Sequence, residues 1–369
     1  MGKSVTLARG WQAGVFTSAR SRHIRSAMLR PDLLLRPTPA GLYCPPGDFH
    51  IDPVRGAVER AVVTHGHADH ARAGHGAVLA TPETLKIMAV RYGADFAGST
   101  QALGYGQSVD INGVRVSFAP AGHVLGSAQV IVDYRGLRMV ATGDYKRRRD
   151  PTCARFEIVP DVHVFISEAT FGLPVFHHPD TAGEIGKLLA SLRTQPGRTH
   201  LVGAYALGKA QRIIAHLREA GYDEPIHIHG AMKALCELYE AEGIVLGPLE
   251  PATLEKGQRG ESERFRGTIV VGPPSSFADK WGRRFPDPLP AFASGWMSVR
   301  QRAKQRGVEL PLIISDHADW DELTDTVREV DPEELWVTYG REDALVRWAE
   351  LEGRRARPLH LVGYAEEGD

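Results

Sequence analysis

The stretch VVTHGHADHARAGHG, residues 62–76, packs His65, His67, Asp69 and His70 into six positions. It grows out of the apolar residues Ala61, Val62 and Val63, so the polar groups stand where a strand ends and a loop begins. Buried histidines usually come singly, and a solvated loop does not extend an apolar run in this way. Imidazole and carboxylate are ligand types for zinc and similar divalent ions. Six positions are too few for one tetrahedral ion to take all four groups comfortably, so two ions sharing the loop is the easier geometry.

A shared site needs further ligands later in the chain. SFAPAGHVLGSAQV puts His123 on a Gly-flanked turn between two strands. VATGDYKRR puts Asp144 just past a strand, after a glycine. Alone, the first is an ordinary histidine and the second a turn residue. In this order, at these strand ends and behind the first cluster, both become candidate ligands.

With 369 residues, 43% of them hydrophobic and 24% charged, the chain is long enough for a large core and has the composition of a soluble globular protein. No apolar run reaches the roughly eighteen residues of a membrane span. The net charge of −1 neither supports nor excludes nucleic acid, because a basic groove can hide in a neutral total. Cys44, Cys153 and Cys236 are few, odd in number and far apart, which argues for isolated thiols, a reducing compartment and a cytoplasmic location. Residues 1–30 are basic and without acid, and are expected to be a disordered extension. A transit peptide and a phosphate-touching arm are the alternatives.

Residues 31–180 read as short strands and turns, apart from the helix TPETLKIMAVRYG opened by Thr81 or Pro82. From about residue 181 to 300 helices alternate with strands, the pattern of a parallel sheet. Beyond the Pro/Gly-rich RRFPDPLPAFASGW, βα-type units close the chain over residues 301–369. Asp319 reads as a helix N-cap, with Glu322 completing a capping box.

THGHADH, AGHVLGS and TGDY resemble the metal motifs of the metallo-β-lactamase fold hydrolases. ISEATFG, with Glu168, and ISDHADWDEL, with His317, look like the acidic and histidine motifs of the β-CASP nucleases. LLLRPTPAGLYCPPGDFHIDP and AYALGKAQRI are most similar to the bacterial ligase-associated DNA exonucleases. The resemblance implies an α/β fold, an αββα sandwich at 31–180 and 301–369 with an inserted α/β β-CASP-type cap at 181–300. It implies two divalent ions, zinc or else manganese, with His65, His67 and His123 on one, Asp69 and His70 on the other, and Asp144 bridging. His317 would face the scissile phosphate with Glu168 behind it, and Asp69 counts among the catalytic groups as well. The implied activity is phosphodiester hydrolysis of nucleic acid, DNA before RNA, by an exonuclease in repair. An ATP-dependent DNA ligase and a helicase are the implied partners. An RNA 3′-end processing nuclease and a silent nucleic-acid-binding subunit are the rival readings.

One position departs from the pattern. RNA-cutting members carry a histidine where VTYGRED has Tyr339, and neutral tyrosine is a poor zinc ligand. The second ion is then left with fewer protein ligands. ALGKAQRI lacks the glycine and hydroxyl of a P-loop, but as a strand-to-helix entry it can meet a phosphate, with Lys209 nearby. Lys146, Arg147, Arg148 and Arg149 leave the metal loop directly and read equally as a solvated face or as backbone-phosphate contacts. Tyr205, Trp281 and Trp296 read as packing residues, with base stacking as the alternative.

Overall fold

The computed structural model describes residues 30–253, 261–278 and 280–361. The basic stretch at residues 1–29 lies outside them. Behind the short helix α1 (Pro31–Leu34), a first sheet pairs β1 (Arg36–Thr38), β2 (Gly41–Cys44), β3 (Phe49–Ile51), β4 (Arg60–Val62), β5 (His75–Ala80) and β6 (Ala97–Ala102) in that order. Helix α2 (Pro82–Tyr92) joins β5 to β6. Its start follows the sequence: Thr81 Oγ1 accepts from the Thr84 amide at 3.2 Å and Pro82 opens the first turn. The cap satisfies an amide that has no partner inside the helix.

A second sheet begins with β7 (Ser108–Ile111), β8 (Val114–Pro120), β9 (Ala128–Tyr134) and β10 (Leu137–Ala141), paired antiparallel, and continues with β11 (Val164–Ala169), parallel to β10. The chain then builds a third sheet from β12 (Thr199–Gly203), β13 (Ile226–Ile228), β14 (Leu249–Pro251), β15 (Ile269–Gly272), β16 (Pro288–Ala293) and β17 (Leu310–Leu312). Its order is β14-β13-β15-β12-β16-β17, with parallel pairings throughout. Helices α3 (Thr181–Thr194), α4 (Lys209–Glu219) and α5 (Lys233–Ala241) cover it, while α6 (Pro274–Ala278) and α7 (Arg300–Gln305) are short. The chain returns through α8 (Trp320–Val330), β18 (Glu334–Gly340), α9 (Glu342–Leu351) and β19 (Arg355–Pro358). β18 and β19 complete the second sheet beside β11.

Side-chain alternation decides the layers. Val62 faces inward, and with Leu42, Phe49 and Ile51 it meets Val116, Phe118, Val130 and Trp336 of the second sheet. Ala61 and Val63 face outward and pack with Val78 and Met88 of α2. On the far face of the second sheet, Val140, Phe165 and Leu335 pack on Leu323 and Val327 of α8 and Leu345 of α9. The order is helix, sheet, sheet, helix. In the third sheet, β12 and β15 are buried along their whole length, as parallel strands covered on both faces are. Ile213, Ile214, Leu188 and Leu235 cover one face through contacts with Val202 and Ile228. This sheet runs past residue 300, where the change in sequence texture suggests its end. The Pro/Gly-rich stretch before that point supplies β16, and β17 pairs with it in parallel. Trp281 packs into the opposite face of this sheet, beside Phe265 and Phe285. Among the described residues, no helix is long and apolar enough to cross a membrane.

A buried ion pair braces the third sheet's layer against the other two. Arg212, on α4, donates to Asp150 and to the carbonyls of Ser315 and His123, the last at 3.2 Å. Its side chain is 3% exposed and that of Asp150 is 2% exposed. Removing one member of such a pair leaves a buried charge without its counter-ion. Arg212→Ala is expected to cost about 3–5 kcal/mol. Arg147→Ala, whose partner Glu329 is half in solvent, should cost about 0–1 kcal/mol. Urea unfolding of the two variants measures the contrast, and equal midpoints would remove the brace.

Candidate metal centre

The metal loop starts where β4 ends. Asp52, in a left-handed turn after β3 (φ 45°), ties the loop down. It accepts from the Thr64 amide at 2.8 Å, the Thr64 hydroxyl at 2.6 Å and His70 Nδ1 at 2.8 Å. A tight turn follows, with the Ala71 amide donating to the His67 carbonyl at 2.7 Å. Asp144 enters from the end of β10 through Gly143, whose φ is 57° and whose added Cβ would stand 2.6 Å from Thr64 Oγ1. Only glycine lets the second sheet bring its carboxylate this close to the loop.

Six predicted ligands meet here. His65, His70, His123 and Asp144 are buried, His67 is nearly so, and Asp69 stands half-buried at the mouth. Asp144 Oδ2 lies 3.4 Å from His65 Nε2, 3.3 Å from His70 Nε2 and 3.7 Å from His123 Nε2. His67 Nδ1 is 2.9 Å from His123 Nε2. Asp69 Oδ2 is 4.0 Å from His70 Nε2.

The partners behind the rings assign their protons. The Thr64 hydroxyl donates to Asp52, so at 3.0 Å it accepts from His65 Nδ1. His67 Nε2 faces the Leu207 carbonyl at 3.2 Å and His123 Nδ1 the Asp316 carbonyl at 2.9 Å. His70 Nδ1 faces the Asp52 carboxylate. These groups can only accept, apart from the hydroxyl whose proton is already committed. Each neutral ring therefore gives its one proton outward and turns a lone pair inward. His65 Nε2 has no hydrogen-bond partner among the described residues. The 2.9 Å contact of His67 with His123 then sets two lone pairs against each other beside a carboxylate. A divalent cation is what this donor set fits.

The charge states agree for His65 and His123 but not for His70. Burial holds His65 and His123 well below the usual histidine range, in the neutral form that binds metal. Burial also lowers His70, but the carboxylates of Asp144 and Asp69 outweigh it and hold His70 well above that range. Burial alone would raise Asp144, yet its neighbours, His70 first, keep it well below the usual carboxylate range. A cation bound at His70 would have to displace its proton.

His317, just before α8, presents Nδ1 to Glu168 at 3.1 and 3.2 Å. Its ring lies 4.8 Å from that of His123. Glu168 is fully buried at the end of β11 and accepts from the Tyr145 amide at 2.8 Å. Burial pushes its carboxyl up, against the pull of His317. Asp319 caps α8 and Glu322 returns the bond, the capping box read from sequence. Tyr339 is the extra residue of a bulge in β18, at φ 55°, with its ring 4.9 Å from that of His70. A cleft of about 530 Å³ opens beside His67 and Asp69, between α2 and the start of α4, with Arg72, Arg91 and Tyr205 on its walls.

The cations read as phosphate contacts stand differently. Lys209 is 2% exposed and bonds Asp316 and the Ile314 carbonyl. Lys146 is 4% exposed and bonds Glu322 at 2.7 Å. Neither ion reaches solvent, so neither meets a phosphate in this structure. Arg147 pairs with Glu329, Arg148 with Asp319 and Arg149 with Glu219. Gly208, before α4, has φ 82°, and its added Cβ would stand 2.3 Å from Val124. That glycine brings the Leu207 carbonyl onto His67. Asp52, Asp316 and Leu207 are functional groups that the sequence reading did not single out. Asp52 lies within the quoted GDFHID, and Asp316 directly precedes His317.

No family model matches the chain. It is 29% identical over 326 residues to a protein of Opitutus terrae named "Probable DNA ligase", covering 84% of this chain and 30% of that one. It is 37% identical over 122 residues to "Endoribonuclease YSH1" of Saccharomyces cerevisiae, covering 32% of this chain and 15% of that one. It is 25% identical over 221 residues to "RNase aCSPSF2" of Saccharolobus solfataricus, covering 52% and 44%. The chain thus spans under half the length of each of these relatives. A crystal structure of a protein of unknown function from Enterococcus faecalis V583 matches with a TM-score of 0.54 at 12% identity, over 81% of this chain and 78% of that one, and shares the fold. The named relatives support the resemblance to metallo-β-lactamase-fold β-CASP nucleases and do not single out the ligase-associated exonucleases.

Zinc or manganese added to chelator-treated protein should raise its thermal midpoint, and Asp144→Ala should lose most of that rise. The rise should shrink as pH falls from about 8 to 5.5, because protons compete for the same lone pairs. A rise that is unchanged in Asp144→Ala, or that grows on acidification, would count against this ligand set.

Proposed function

We propose that the chain is a metal-dependent nuclease that hydrolyses phosphodiester bonds, acting on DNA as an exonuclease in repair. The observation that carries this reading is the gathering of four imidazoles around one buried carboxylate, beside the His317–Glu168 pair. His65, His67 and His123 would hold one ion and Asp69 and His70 the other, with Asp144 shared and zinc the expected metal. Two such ions would offset the negative charge that builds on the phosphoryl oxygens and would make water nucleophilic near neutral pH. His317 gives a proton to the leaving oxygen. Glu168 orients its ring through Nδ1. The cleft beside Asp69 is where the substrate reaches these groups.

DNA is supported by the relative named a probable DNA ligase, whose match covers most of this chain. Tyr339, standing where the RNA-cutting enzymes have histidine, points the same way. A DNA ligase and a helicase are the proposed partners. The RNA-processing reading is favoured by the names of the other two relatives, an endoribonuclease and an RNase. A time course on end-labelled DNA and RNA of one sequence separates the two. Stepwise loss of nucleotides from DNA, with RNA slow, is expected; internal cuts in RNA alone would overturn DNA. His317→Ala should lower turnover roughly 10²–10⁴-fold while metal content stays, and loss of the ions with the ring would make it a ligand instead.

Tyr339 gives a separate test. With the ring beside His70, the second ion has one fewer imidazole, so activity should depend on added metal. Tyr339→His should tighten that ion and lower the metal concentration needed for half-activity. Identical metal dependence in the two proteins would remove Tyr339 from the site.

A further inference from the structure

The basic run beside Asp144 is spent on carboxylates, so the cations available to a polyanion lie elsewhere. From Pro288 to Val308 the chain contains no Asp or Glu, while Arg300, Arg302, Lys304 and Arg306 take every second position. Arg300, Lys304 and Arg306 are exposed and Arg302 is half-buried. Among the described residues, no carboxylate lies within ion-pair distance of Arg300, Arg302 or Lys304. Glu309, the next acid in the chain, is held by Arg198 at 2.7 Å.

This patch is joined to the metal centre by packed rings. The Arg302 guanidinium carbon lies 4.0 Å from the Trp296 ring centre. Trp296 packs on Phe171 at 4.7 Å and Phe176 at 5.2 Å between ring centres. Phe171 in turn lies 6.2 Å from the ring of His317. The backbone is held as closely: a Cβ added at Gly295 would stand 2.4 Å from the Phe171 ring. Trp296 is therefore a packed platform, and Arg302 sits over its ring. A guanidinium held in this way loses little freedom on binding, can bond phosphate with its edge and can stack an unpaired base on its open face.

We propose that α7 and the Trp296 loop form the surface on which a single nucleic-acid strand lies next to the catalytic centre, with Arg302 touching phosphate or base and Arg300 and Lys304 touching phosphate. The inference rests on the nuclease reading above and supplies the substrate contacts that Lys146 and Lys209 do not. Cations spaced along a short element beside an aromatic platform suit a flexible strand, whose unstacked bases can reach the guanidinium plane.

The test measures binding of a fluorescent single-stranded oligonucleotide as salt is raised, in the His317→Ala protein so that turnover does not interfere. Each lost phosphate contact lowers the slope of log K against log salt by about 0.7 for single strands. Adding Arg300→Ala, Arg302→Ala and Lys304→Ala together should therefore lower it by about 1.4 if Arg302 meets a base and by about 2 if it meets a phosphate. Adding Arg147→Ala and Arg149→Ala instead should leave the slope as it was. In the otherwise wild-type chain, the triple variant should hydrolyse bis(p-nitrophenyl) phosphate, which is too small to reach α7, at the normal rate, while its KM for the strand rises. An unchanged slope and KM in the triple variant, with strands still cleaved, would overturn the docking surface alone. Metal-loaded wild-type protein that cleaves neither the small diester nor any strand would overturn the nuclease reading, and the surface with it.

Discussion

A neutral imidazole has one proton and one lone pair, and whatever takes the proton decides where the lone pair points. Four rings in this protein surrender their protons outward, to the Thr64 hydroxyl, the Asp52 carboxylate and the carbonyls of Leu207 and Asp316. The inward nitrogens of His65, His70 and His123 are left facing Asp144, and that of His67 faces His123. The rest of the architecture serves that arrangement. β3 delivers Asp52, Gly143 lets Asp144 approach, and Gly208 carries Leu207 up to His67. Without a cation, His67 and His123 set nitrogen against nitrogen at 2.9 Å, and a bound cation would relieve that opposition.

Much of this was legible along the chain because it is local. The His-x-His-x-Asp-His spacing fits a strand-end loop, and His123 and Asp144 follow at the ends of later strands. The capping box of Asp319 and Glu322 is local too. What could not be read is long-range. That Val62 faces inward while Ala61 and Val63 face outward shows only in the fold, because all three are apolar. Asp316 looks like any loop acid until the fold lays its carbonyl on His123, 193 positions earlier. A backbone carbonyl such as that of Leu207 leaves no mark in residue type at all.

The basic run after Asp144 shows the same limit from the other side. In sequence, Lys146 to Arg149 stand clear of carboxylates until Asp150. In space, Glu322 takes Lys146 and the amides of Arg147 and Arg148, while Glu329, Asp319 and Glu219 take the guanidinium groups. The run works as a clamp that fastens the loop behind Asp144 to α8. Charge becomes available where acids are absent from the fold around it, as on α7, and counting nearby residues does not reveal that.

The metal centre draws its second layer from both halves of the molecule. His65 and His70 are oriented by the first sheet, whereas His67 is oriented by the Leu207 carbonyl at the entry to α4. His123 shares its backbone carbonyl with Arg212 of that same helix, and Asp316, which orients its ring, is tied to Lys209. A hinge between the third sheet and the sandwich would rotate two ligands out of register. By linkage, an ion held by all four rings would also favour the seated arrangement of the layers, and a ligand that wedged them apart would weaken that ion's hold.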